Sequence, residues 1–216
     1  MSDDNELKFH VTREQLKRLG TLTDCVYAVA LILVIQWLPL PEESTGAVGH
    51  LYLLDLLVEF AGNILAVVIA VVFIILYWLR NTDLGARVDR TDGPYVVLSV
   101  LSVFSLLVLL YVVRVGSEVE GAAARAGESV AVAMIGIFSG AAFWHARRRG
   151  LVRDELTHEE LVELQIESFT EPITALITLP IAYIGELWWN LSWFAWLPLA
   201  KLLSRKLANR GLRGKS

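Results

Sequence analysis

"RLGTLTDCVYAVALILVIQW", residues 18–37, opens on Arg18, Thr23 and Asp24 and passes into an almost unbroken apolar run that reaches Gln36. About 20 such residues cross a bilayer as a helix. A helix that only faced lipid would need neither the carboxylate of Asp24 near its start nor the amide of Gln36 near its end. Ionisable groups at membrane depth are costly and mark functional positions.

The same pattern extends along the chain. Of its 216 residues, 55% are hydrophobic and the mean hydropathy is +0.54. The apolar residues are clustered in blocks at about 21–40, 53–79, 94–115, 127–146, 172–186 and 187–204. The last two run together around Gly185, Glu186 and Asn190, so periodicity alone leaves open one kinked span or two short ones. A net charge of −4 without a basic stripe argues against a nucleic-acid partner. The single cysteine, Cys25, excludes a disulfide framework within the chain. The first 20 residues are polar and mixed in charge, unlike a cleavable signal peptide.

Charge resolves the topology. All but two of the 19 Lys and Arg residues fall in segments 1–20, 80–90, 147–153 and 201–216; the exceptions are Arg114 and Arg125. Six spans put every one of those segments on the same side, as the positive-inside rule requires, with both termini cytoplasmic. Five spans would strand the basic tail outside. Trp37, Trp188 and Trp189 then fall at the outer boundary, and Trp78 and Trp144 at the inner one, the depths that indole rings prefer. The expectation is an all-α, multi-pass protein of the cell membrane: one six-helix unit over residues 1–216, embedded in the lipid bilayer.

Enzyme motifs are missing: the sequence has no HExxH, P-loop, GxSxG or CxxC, and its four histidines are scattered. His145, beside three arginines, reads as an interface residue. His158 with Glu159 and Glu163 reads as a solvated face, because no second histidine stands at ligand spacing. Neither a metal nor a cofactor is expected. Between blocks four and five, "LTHEELVELQIESFTEP" reads as a cytoplasmic helical linker. Thr157 and Glu160 have capping-box spacing, Ser168 or Thr170 can cap the fifth span, and Pro172 fits its first turn. Asp55, Glu59 and Asn63 in block two, and Glu171 and Glu186 at the ends of block five, are the other polar candidates. Arg18 and Asp24, six residues apart, point about 240° apart around a helix. They therefore bond to different partners, or Arg18 snorkels to the membrane surface.

Arg18-x-x-x-Leu22-Thr23-Asp24 resembles the Arg-x-x-x-Phe-Ser-Asp signature that opens the first helix of the transmembrane protein 175 family of potassium channels. "YWLRN", residues 77–81, is similar to that family's Tyr-Trp-x-x-His ending of the second span. The six-span plan and the short, proline-bearing final pair fit as well. The resemblance implies a homotetramer whose first helices surround a central pore, with potassium as the permeant ion. It also implies an anchoring network in which Thr23 and Asp24 bond near Trp78, with Arg18 in the signature. Asn81 stands where the family has histidine, so the network is altered.

By the same resemblance, the pore-facing positions are Val29, Leu33 and Gln36. Their i, i+4, i+7 spacing places them on one helix face. Rings of Val29 and Leu33 would gate by dewetting, and a ring of Gln36 would line the outer mouth. Ile32 stands where some members carry a selectivity threonine, and Gln36 replaces a usual apolar residue. Both departures imply weaker selection among monovalent cations. The rival readings are a secondary transporter, which should show inverted repeats, and a non-conducting membrane scaffold.

Overall fold

The computed structural model describes residues 2–38, 61–119, 121–193 and 195. Over these residues the chain is all-α. The helices are α1 (Ser2–Ile35), α2 (Ala61–Ala86), α3 (Gly93–Glu118), α4 (Ala122–Arg149) and α5 (His158–Ile181), followed by a helical stretch, α6, over residues 186–193. The stretches Arg13–Ile35, Gly93–Gly116 and Ala122–Arg149 are each long and apolar enough to cross a membrane. Residues 39–40, 53–60, 194 and 196–204 of the expected spans lie outside the described residues.

Local chemistry fixes the ends. Asp92 caps α3 by accepting from the Tyr95 amide at 3.1 Å, and Pro94 occupies the first turn, where its missing N–H leaves nothing unsatisfied. At the end of α4, Gly150 adopts φ +64°, and the amides of Gly150 and Leu151 turn back onto Arg147 and Ala146 carbonyls. Thr157 and Glu160 form the reciprocal capping box at the start of α5. The break near Gly185 is found at residues 182–185, where α5 gives way to α6.

The linker and the fifth span are one helix. Ser168 and Thr170 do not cap it; their hydroxyls bond back to the Leu164 and Ile166 carbonyls inside α5, at 2.7 and 3.0 Å. Pro172 therefore lies well inside the helix. It deprives the Ser168 carbonyl of a helical donor, and Arg80 of α2 supplies a replacement through Nη2 at 3.0 Å.

α4 packs between α3 and α5, and its composition explains the closeness. Ala126, Ser129, Ala133, Gly136 and Gly140 are buried along it, so neighbouring backbones approach closely, the usual basis of helix association in lipid. A Cβ on Gly136 would lie 2.5 Å from Pro172 Cδ, and one on Gly140 would lie 3.2 Å from the Phe169 ring. Gly136→Ala should accordingly destabilise the purified protein by about 1–3 kcal/mol, the range for an overpacked core. Gly20→Ala, where a Cβ meets nothing within 4 Å, should leave melting unchanged or raise it. Thermal melting in detergent checks the pair, and equal melting of both variants contradicts this packing.

Candidate pore helix and its anchors

Asp24 lies on α1, more than halfway along the helix, and its Oδ1 accepts a hydrogen bond from the Trp78 indole of α2 at 2.8 Å. The other residues of the expected network go elsewhere. Thr23 is buried and donates to the Leu19 carbonyl of its own helix at 2.8 Å; it borders an apolar groove of about 120 Å3 between α1 and α3. Arg18 is exposed beside Glu14, with 3.4 Å between Nε and carboxylate, which is the surface-seeking alternative. Asn81 borders a small pocket with Tyr95, Ser99, Ser139 and Phe143, on the side of α3 and α4.

α1 has two unlike sides. Thr23, Tyr27, Ala30 and Val34 are buried, the last two at 0% exposure, and the apolar members of this side join a core shared with Ile74 and Tyr77 of α2 and Leu106 of α3. Val29, Ile32 and Leu33 are 51%, 59% and 46% exposed, and Gln36 is also exposed. Gln36 lies just past the last residue of α1, in a turn where its amide donates to the Leu33 carbonyl at 3.2 Å.

The opposite side of α2 is fixed to α5. Arg80 Nη1 pairs with Glu171, the Tyr77 hydroxyl donates to the same carboxylate, and Arg80 Nη2 holds the carbonyl freed by Pro172. A groove of about 460 Å3 opens beside this cluster, bordered by Asp83, Glu167 and Thr170. Charges this enclosed need their partners, because an unpaired ion in a low-dielectric site costs several kcal/mol.

A helix signature, a tryptophan on the next helix and a bond between them are features that can be compared with known proteins. Residues 18–110 match the family model described as "Endosomal/lysosomal potassium channel TMEM175". That match spans somewhat less than half of the chain. Among solved structures it is similar to a lysosomal potassium-selective channel TMEM175 homolog from Chamaesiphon minutus, with a TM-score of 0.64 and 16% identity over 91% of this chain and 98% of that one. It is also similar to a variant of the potassium channel MtTMEM175 solved with a Nanobody-MBP fusion protein, with a TM-score of 0.65 and 17% identity over 89% and 93% of the two chains. At such identities the likeness is one of fold. No curated protein sequence matches the chain. The matched family is one of membrane ion channels, not enzymes.

Two further clusters hold the helices of this chain at their ends. At the arginine-rich end, Asp92 spans α3 and α4: one carboxylate oxygen accepts from the Tyr95 amide and the other meets His145 Nε2 at 2.8 Å. Arg13 of α1 reaches Asp89 at 2.5 Å, and Val88 pairs with Val152 as an antiparallel bridge. Partial burial alone would raise the Asp92 carboxyl. The His145 bond, the Tyr95 amide and the charge of Arg149 outweigh it and hold the group below the usual carboxylate range. At the far end, Arg125 of α4 donates to the Ala182 carbonyl just past α5, at 3.2 and 3.3 Å. There Ser129 meets Thr178 at 3.3 Å and accepts from the Trp189 indole at 2.9 Å.

The sequence does not announce the Arg80–Glu171 pair. Arg80 reads as one of several basic residues at a span end and Glu171 as a boundary acid, 91 residues apart. The available signal was Pro172, which implies an orphaned carbonyl at Ser168 and hence a donor from a neighbouring helix. His158, Glu159 and Glu163 are all exposed, and no cluster with metal-ligand composition occurs among the described residues. Asp55 and Glu59, and the Asn63 side chain, lie outside them. Glu186 is exposed at the start of α6.

Removing Arg80 alone (Arg80→Met) should cost about 2 kcal/mol or more, short of the ~3–5 typical of a fully buried pair, because both side chains retain some exposure. The double change Arg80→Met with Glu171→Leu should recover part of that loss, and melting of the two variants decides. Asp92 supplies a pH test. Its lowered folded value means that its contribution is present above the unfolded value of about 3.9 and is lost as pH falls through the folded one. The wild type should lose melting temperature on acidification below about pH 4, with a flatter acid limb in Asp92→Asn; superimposable limbs contradict this role.

Proposed function

We propose that the chain is a subunit of a cation channel in the cell membrane that favours potassium over sodium only weakly. Four copies surround a central axis, each contributing α1, and residues 1–216 act as one six-helix channel domain with both termini in the cytoplasm. Val29 and Leu33 form the apolar constriction, Ile32 stands at the selectivity position, and Gln36 wets the outer mouth. Asp24 and Trp78 anchor the pore helix and are not ion ligands. The reading invokes no cofactor and no metal other than the permeant potassium.

One observation carries this reading. Among the described residues α1 is packed and hydrogen-bonded along one side, and the bare side is the one bearing Val29, Ile32, Leu33 and Gln36. Packing against the other described helices therefore does not account for these positions. Rings of branched apolar residues close a narrow pore by expelling water, and the neighbouring amide gives a hydrated entrance. The two similar structures are those of potassium channels, which supports the same reading.

The test is potassium and sodium flux through purified protein in liposomes. Flux should modestly favour potassium and rise several-fold in Leu33→Ala. Flux absent in both proteins would contradict conduction and favour a scaffold. Saturating flux that requires a co-substrate would favour a transporter.

A further inference from the structure

α4 has one side that the other described helices leave bare. Val130, Ile137 and Trp144 follow each other at intervals of seven, about two helical turns, and all three are exposed, Trp144 at 42%. One turn further on, Arg148 is exposed and lays its guanidinium over the Trp144 ring, 4.0 Å from the centroid. Arg148 forms no ion pair among the described residues. The charge of its neighbour Arg149 acts on Asp92, and Arg147 is half-buried.

Along this side the chemistry changes from branched aliphatic, through an amphipathic indole, to an unneutralised cation. A phospholipid presents its parts in the same order: acyl chain, glycerol region, phosphate. A second copy of the chain seated here would have to desolvate Arg148, which is unfavourable unless its contacting face brings a carboxylate. An anionic headgroup neutralises it.

We propose that the Val130–Arg148 side of α4 is a binding site for an anionic phospholipid of the leaflet at the arginine-rich end. The phosphate is held on the edge of the Arg148 guanidinium and one acyl chain lies along Ile137 and Val130. Stacking on Trp144 restrains the planar fork, so less freedom is lost when it bonds two phosphate oxygens. The inference requires membrane embedding but not conduction, so it stands or falls separately from the proposed channel.

Lipids brominated on their acyl chains quench nearby tryptophans, and the difference between a protein and its Trp144→Phe counterpart isolates Trp144. Purified protein is placed in phosphatidylcholine vesicles in which brominated phosphatidylglycerol or brominated phosphatidylcholine replaces part of the lipid. Trp144 should be quenched at about fivefold lower content of the glycerol lipid, the ratio given by ~1 kcal/mol per arginine near an anionic surface. Arg148→Gln should abolish that preference and leave quenching by phosphatidylcholine unchanged. Millimolar inorganic phosphate should leave the preference intact. Equal quenching by both lipids in the wild type, a preference that survives Arg148→Gln, or one that free phosphate removes would each overturn the proposal. Absence of quenching by either lipid would also overturn it, by showing that another copy covers the face.

Discussion

The hydrogen bond from the Trp78 indole to Asp24 is the constraint on which the arrangement of the first helix depends. A carboxylate about one turn inside an apolar segment needs a donor, and in lipid none comes from solvent. α2 supplies it. The bond fixes the rotation of α1 about its own axis, and that rotation decides which side chains are packed and which are left bare. With Tyr27, Ala30 and Val34 turned into the core, Val29, Ile32 and Leu33 turn away from it. Rotation of α1 by about 100°, one residue's worth, would bury a different set and leave Asp24 without its partner.

α2 can act as an anchor because it is itself held from the other side. Trp78 faces α1, while Tyr77 and Arg80 converge on Glu171 of α5. Pro172 makes that contact possible twice over. Its missing N–H leaves the Ser168 carbonyl open to Arg80, and its ring occupies the space that Gly136 of α4 leaves by lacking a Cβ. α1, α2, α5 and α4 are thus connected through contacts that lie within a few turns of one another. The arginine-rich end adds the Arg13–Asp89 and Asp92–His145 pairs, which tie the α2–α3 connection to α1 and α4.

Much of the helical fold was legible in the sequence, because membrane helices declare themselves by the length of their apolar runs. Thr157 with Glu160 and the break near Gly185 are local signals, and local geometry honours them. The resemblance around Arg18, Leu22, Thr23 and Asp24 led to the family that the comparison found over residues 18–110. What could not be read was set by distant partners. Pro172 reads as a helix start until Arg80 is seen to accept the role of its missing amide, and Ser168 and Thr170 read as caps until their hydroxyls are seen bonded within α5. Thr23 and Asn81 look like members of one network because the resemblance implies one. Here Thr23 bonds within its own helix and Asn81 borders a pocket beside Tyr95 and Phe143.

The central claim, that α1 is held with Val29 and Leu33 toward a conducting axis, is tested most directly by blocking the pore from inside. Potassium flux into liposomes would be measured before and after adding silver ions, with Leu33→Cys introduced into a Cys25→Ser background, because Cys25 is itself exposed on α1. The account predicts that silver stops the flux of this variant and leaves the Cys25→Ser parent unaffected. Flux that continues undiminished after silver would show that Leu33 faces something other than the ion path.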